Sequence, residues 1–157
     1  MTDHMHAGVP VFEYNYITDG IYIGTNQCCV THFDEMLQKE GIRADISLEE
    51  NHIDMPFGVD FYTWIPIVNH AAPTQEQLDF GVTVLAKMVT LGKKVYVHCK
   101  NGHGRAPTLV AAYLMREHGK SVDEALEIIK AGRPTIHIED VQRAALQALV
   151  YKINSSV

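Results

Sequence analysis

Residues 98–107 read HCKNGHGRAP, directly after the apolar run KVYV and directly before TLVAAYLM. This junction constrains the fold more than any other stretch of the chain. A β-branched and aromatic run bounded by Gly92 reads as a buried central strand. Pro107 suits the first turn of a helix and Gly119 suits its stop. The loop between them therefore faces a helix N-terminus, where free amides and the positive end of the helix dipole favour an anion. Gly102 and Gly104 let the backbone fold tightly, so that several N–H groups of Lys100, Asn101, Gly102, His103 and Gly104 point inward. Arg105 adds a planar fork that matches two oxygens of a phosphate. Cys99 lies at the floor of this positive cup, where cysteine pKa values fall to roughly 3.5–7.5. A thiolate beneath a phosphate is poised for phosphoryl transfer. An inert core cysteine would need neither the glycines nor the arginine.

The rest of the chain supplies an α/β scaffold for such a junction. Strands are expected at residues 20–24 (GIYIG), 42–48 (IRADISL, with Ile42, Ala44, Ile46 and Leu48 alternating) and 59–67. Val30, Phe33, Met36 and Leu37 have helical spacing ahead of a glycine stop at Gly41. Thr74 with Gln77 and Ser121 with Glu124 are capping boxes, opening helices at 75–91 and at VDEALEIIKAG. A last helix is expected over 138–152, with Val141, Ala145, Leu146, Leu149 and Ile153 on one side. Strands alternating with helices predict a mainly parallel central sheet flanked by helices, with the Cys99 to Arg105 loop between a buried strand and a helix. Residues 1–15 read as a peripheral segment and 16–157 as the domain.

With 157 residues, 46% hydrophobic and 20% charged, one domain can bury a real core. A net charge of −6 disfavours nucleic acid as a partner. Nothing in the sequence reads as a signal peptide or a membrane span, so no stable membrane insertion is expected. Three cysteines without regular spacing are not a disulfide framework and fit a reducing, cytoplasmic location. Cys28 and Cys29 have no basic cluster nearby and read as packing residues. His4 and His6 read as part of a polar tail rather than a metal site.

HCKNGHGR resembles the His-Cys-x5-Arg signature of the cysteine-based protein tyrosine and dual-specificity phosphatases. DGIYIG looks like the first strand of their small single-domain members, IPIVNHAAPT like their acid loop, and GRPTIHIEDVQRAAL like their C-terminal arginine-proline segment and closing helix. The resemblance implies a compact phosphatase domain, a phosphocysteine intermediate, and no metal or other cofactor. It implies Cys99 as nucleophile, Arg105 as phosphate ligand and His98 as a support that organises the loop. Expected partners are phosphorylated protein or phospholipid substrates, met by a monomer.

Two positions depart from that family pattern. The general acid is expected at the position of Asn69, and an amide neither protonates a leaving group nor activates water. His70, Asp54 and Asp60 are the substitutes, although His70 reads as an exposed loop residue. Ala106 stands where a hydroxyl residue follows the arginine, so slow hydrolysis of the intermediate is expected. Phosphotyrosine is the first substrate class, with phosphoserine and phosphothreonine beside it. A phosphoinositide phosphatase is the alternative suggested by Lys100 and His103, and a weakly catalytic phosphate-recognition module is the alternative suggested by Asn69 and Ala106. Tyr62 and Trp64 read as core rather than as a substrate platform.

Overall fold

The computed structural model describes residues 9–155, with side chains as far as residue 149. His4, His6 and the side chain of Ile153 lie outside the described residues. The strands are β1 (Tyr14–Thr18), β2 (Ile21–Gly24), β3 (Ile42–Ser47), β4 (Phe61–Trp64) and β5 (Lys94–His98). The helices are α1 (Glu35–Lys39), α2 (Gln75–Thr90), α3 (Arg105–His118), α4 (Val122–Gly132) and α5 (Asp140–Ser155). The strands form one sheet in the order β1-β2-β5-β3-β4. β2, β5, β3 and β4 run parallel, and β1 closes one edge antiparallel to β2. This is the expected mainly parallel α/β architecture.

β5 lies at the centre of the sheet and explains the reading of KVYV. Val95 and Val97 face the main core with Ile21, Ile23, Ala44 and Ile46, against α2, α3 and α4. Tyr96 faces the other way, into a smaller core with Tyr22, Cys28, Cys29, Phe33 and Leu37. Both faces are covered, so the strand shows no polar alternation. α3 is buried at every position from Arg105 to Met115. A helix apolar all round belongs inside a domain, and α3 packs against α2, α4 and α5. Both capping boxes form, at Thr74/Gln77 and Ser121/Glu124. Gly119 ends α3 with a left-handed φ of 64°.

Three elements differ from the sequence reading. Of the helix expected from Val30 to Gly41 only the short α1 forms, after a separate 3-10 turn at Asn26–Cys29. Asp34 is the reason: its carboxylate accepts the Met36 N–H at 2.8 Å and starts a new helix there. The strand expected over 59–67 is regular only at Phe61–Trp64, because Pro66 has no N–H to continue the ladder. Val141 is exposed on α5, whereas Leu146 on the same helix is buried.

Candidate active site

β5 ends at His98, at the carboxyl edge of the parallel strands, and α3 begins at Arg105. The loop between them is held from outside, carbonyl by carbonyl. The Lys100 carbonyl accepts the Asn26 N–H at 3.1 Å, and the His103 carbonyl accepts the His137 N–H at 2.9 Å. Arg133 donates to the Asn101 carbonyl at 2.7 Å and to the Gly102 carbonyl at 2.9 Å. The Gly104 carbonyl accepts from both N–H and Oγ1 of Thr108. In a planar trans peptide the N–H points opposite to the C=O of the preceding residue. Five successive carbonyls turned outward therefore turn the N–H groups of residues 101–105 inward, as in an anion nest. Gly102 makes the bend at φ 70°, and a Cβ there would stand 2.7 Å from the Gly24 carbonyl oxygen. Gly104 has an ordinary negative φ and instead gives room to the Gln142 amide.

Cys99 is buried at the floor of the resulting cleft, which is also lined by Asn69, His70, Asn101, His103, Gly104, Arg105, His137, Glu139 and Gln142. Lys100 contributes backbone to the loop but its side chain is not in the lining. Arg105 is 2% exposed. Its Nη1 donates to the carbonyls of Ile67 at 2.8 Å and Leu48 at 3.2 Å, and to Glu50 Oε1 at 3.3 Å. Its Nε is buried without an acceptor. One end of the guanidinium is thus anchored and another N–H is left to bind an oxyanion. Glu50 also accepts the Asn69 N–H through Oε2 at 2.6 Å, so one carboxylate fixes both the arginine and the loop at the acid position. Nothing in the local sequence around Glu50 signals this role, because its partners lie 19 and 55 residues away.

The candidate acids separate clearly. Asn69 lies on the cleft, where its Oδ1 accepts the His70 N–H at 3.1 Å. His70, an exposed loop residue as expected, lies on the cleft as well. Its backbone has a φ of 67°, which folds the ring back toward the mouth, where Nδ1 is 3.4 Å from Glu139 Oε1. Asp60 pairs with Lys93 at 2.6 Å, before the start of β5 and so at the opposite edge of the sheet from Cys99. Asp54 is buried and bonded to His98, and it does not line the cleft. Ala106 is fully buried at the start of α3. Tyr62 and Trp64 are neither full core nor cleft wall. They tether the preceding loop, through Tyr62 Oη to the Asp54 N–H and Trp64 Nε1 to the Glu49 carbonyl.

His98 supports the loop from behind and is completely buried. Its Nδ1 is 3.3 Å from the Cys99 carbonyl, and its Nε2 is 2.7 Å from Asp54 Oδ2 and 3.3 Å from Asp45 Oδ1. Burial pushes the Asp45 carboxyl up to about 8. Burial opposes ionisation of Asp54 too and is the largest single influence, but hydrogen bonds from His98 and Asp45, with the charges of His98 and His52, together outweigh it and its pKa is lowered. Burial disfavours a charged His98, yet the two carboxyls raise its pKa well above the usual imidazole value. Cys28 and Cys29 are joined by a disulfide beside this group, and Cys29 Sγ is 3.4 Å from Asp45 Oδ2. They are buried packing residues as expected, but joined to each other rather than present as free thiols.

Arg133, only 1% exposed, was carried by the sequence solely through the family resemblance of its segment. Beyond the two loop carbonyls, it binds Asn15 Oδ1 at 2.7 Å and Glu13 Oε1 at 3.2 Å. Arg133→Ala leaves buried carbonyls without donors, at about 1–3 kcal/mol each. Phosphate affinity, read by protection of Cys99 from alkylation, is expected to fall about ten-fold or more, together with thermal stability. Unchanged protection would mean that the loop keeps its shape without this brace.

Residues 21–149 match the family model described as dual specificity phosphatase, catalytic domain. The chain belongs to this family. Among curated relatives, the human phosphatidylglycerophosphatase and protein-tyrosine phosphatase 1 is 32% identical over 123 residues, which cover 72% of this chain and 61% of the relative. Dual specificity protein phosphatase 1-B of Xenopus laevis is 33% identical over 103 residues, 65% of this chain and 28% of the relative. The chain thus spans less than two thirds of the length of the curated relatives it matches. A crystal structure of PTPMT1 in complex with PI(5)P is 28% identical with a TM-score of 0.75, covering 91% of this chain and 97% of that one. Human DUSP28, at 19% identity and a TM-score of 0.82, shares the fold over 91% of this chain and 99% of its own. Among the described residues, no helix is long and apolar enough to cross a membrane.

Proposed function

We propose that the protein hydrolyses phosphate monoesters through a phosphocysteine at Cys99. The observation that carries this reading is the ring of outward carbonyls at residues 100–104, which aims the opposite amides at the space above Cys99 beside the unpaired Nε of Arg105. In the first step the Cys99 thiolate attacks phosphorus, the P–O bond to the leaving group breaks, and the leaving oxygen takes a proton from water, since Asn69 has none to give. In the second step water attacks phosphorus, the P–S bond breaks, and the thiolate and inorganic phosphate are released. The amides and Arg105 hold the three non-bridging oxygens through both steps.

Phosphoproteins are the first substrate class under this proposal, as the match to the dual specificity phosphatase catalytic domain suggests. Phospholipid monoesters are the second reading. The rim carries His70, His103 and His137, which fit a substrate with phosphate or hydroxyl groups beyond the reacting one. The relatives named for phosphatidylglycerophosphate and the PTPMT1 complex with PI(5)P point the same way. A cytoplasmic monomer is the simplest setting for either. Phosphate release from phosphotyrosine peptides and from phosphatidylglycerophosphate and phosphoinositide vesicles separates the two. A preference for the lipids by ten-fold or more in kcat/KM would overturn the phosphoprotein reading, by about the worth of one good contact.

Ala106 makes a prediction about the order of steps. It offers no hydroxyl to the departing sulfur, so hydrolysis of the intermediate is expected to be slower than its formation. Rapid mixing with an activated aryl phosphate should give a burst of phenol near one equivalent, then a slower steady rate. Ala106→Ser should raise the steady rate and shrink the burst. No burst, with an unchanged steady rate in the variant, would mean that Ala106 serves packing alone.

A further inference from the structure

Behind the cleft floor lies a second group of chemically active side chains that phosphate transfer does not use. Cys28 and Cys29 come from the 3-10 turn, Asp45 from β3, Asp54 from the loop before β4, and His98 from the end of β5. All five are buried, and one donor atom from each lies within 4.8 Å of every other. Four of them, Cys28, Cys29, Asp45 and His98, stand on the small-core face of the sheet. Its other buried occupants are Tyr22, Tyr96, Phe33, Leu37 and Ile42, and carboxyls are costly there without a counter-charge. His98 supplies one positive charge. Asp45 Oδ1 and Asp54 Oδ1, on side chains with no exposure, are only loosely met: His98 Nε2 approaches Asp45 Oδ1 at 3.3 Å and His52 Nε2 approaches Asp54 Oδ1 at 3.8 Å, neither in good hydrogen-bond geometry.

We propose that Cys28, Cys29, Asp45, Asp54 and His98, with the two cysteines reduced, form a buried binding site for one divalent metal ion of the zinc class.

The donor set decides the class of ion. Two thiolates, an imidazole nitrogen and carboxylate oxygens are the mixed S, N and O ligands of zinc, and are wrong for magnesium or calcium. Zinc bonds of about 2.0–2.3 Å place tetrahedral ligands roughly 3.3–3.8 Å apart, so the two sulfurs must part on reduction and four of the five donors, all within 4.8 Å of one another, then close on the ion. His98 is already oriented for the task. Its Nδ1 lies by the Cys99 carbonyl, which can take the Nδ1 proton and leave Nε2 toward the two carboxyls as the metal-binding nitrogen. The disulfide between Cys28 and Cys29 is the competing state of the same two sulfurs. Its reduction by a dithiol or phosphine takes two electrons and two protons and yields two thiols. The ion then displaces the thiol protons as it binds. No donor is open to the cleft, so the ion has a structural rather than a catalytic place. It ties the 3-10 turn and the loop before β4 to the strand end that carries Cys99. Phosphatase chemistry as proposed above does not depend on it.

The test uses the full chain with His4 and His6 replaced by alanine, purified with a phosphine reductant. About one equivalent of zinc per chain should remain through gel filtration, and a strong chelator should remove it with a fall in melting temperature. The same protein carrying Cys99→Ser keeps only Cys28 and Cys29 as cysteines. Loaded with cobalt, it should show thiolate-to-cobalt charge transfer in the near ultraviolet and the d–d bands of a near-tetrahedral ion. Asp45→Asn and Asp54→Asn should lower zinc affinity by about 10–100-fold or more. If either variant fails to fold, the cobalt spectrum of the Cys99→Ser chain still decides. Failure to retain zinc, or cobalt bound without thiolate charge transfer in that chain, overturns the proposal. None of these readouts uses phosphatase activity, so they stand or fall apart from it.

Discussion

Cys99→Ser is expected to lower phosphate release from an aryl phosphate by roughly 10⁴-fold or more, while phosphate binding changes little. The two effects separate because two sets of atoms are responsible. Binding rests on the inward amides of residues 101–105 and on Arg105, whose Nη1 is anchored by Ile67, Leu48 and Glu50. None of these contacts involves the Cys99 side chain. Attack rests on Sγ alone, and a serine hydroxyl in the same place is a far weaker nucleophile at neutral pH. Isothermal titration with phosphate reads the first property, and initial rates read the second. Loss of both together would mean that Cys99 shapes the loop. Retention of both would show that another group attacks. It would also separate the enzyme from a recognition module, which would bind phosphate and turn over no faster with the cysteine than without it.

Asn69→Asp is expected to raise turnover by about 10²-fold on alkyl phosphates and much less on activated aryl phosphates. An aspartic acid at this position keeps the acceptor that now binds the His70 N–H, so the loop needs no rearrangement. Glu50 lies against the Asn69 backbone, and a second carboxyl nearby favours the protonated form that a general acid requires. The dependence on leaving group is the diagnostic part: a poor leaving group needs the proton and a good one does not. If the variant is no faster on any substrate, His70 takes the role. The cleft geometry then predicts that His70→Ala slows alkyl phosphates selectively.

What the sequence made legible was local. KVYV followed by HCKNGHGR specified a strand, an anion nest and a helix, because the three are consecutive in the chain. The capping boxes at Thr74 and Ser121 were legible for the same reason. What it hid depends on contacts between distant segments. The alternation of Ala44, Ile46 and Leu48 marked one face of β3 as core and gave no sign of what covers the other. The 3-10 turn, α1 and the link between them cover that other face with Cys28, Cys29, Phe33 and Leu37, and Asp45 is buried beneath them. His98 was read as a loop support, but its carboxyl partners come from 53 and 44 positions earlier in the chain and carry no local signal. His70 read as an exposed loop residue and a substitute acid, and it is exposed while also lining the cleft. A φ of 67° brings it back beside Asn69. The absence of any metal site in the sequence reading has the same origin: its five proposed ligands never occur together in any one segment.

The central claim is a covalent bond between phosphorus and Cys99. Mixing the protein with excess activated aryl phosphate, quenching in acid within the burst and measuring the mass of the peptide that contains residues 98–105 tests it most directly. The mass should increase by one phosphoryl group, on Cys99, in an amount equal to the phenol released in the burst, and the increase should be absent in Cys99→Ser. An unmodified peptide recovered from protein that is turning over would contradict the account.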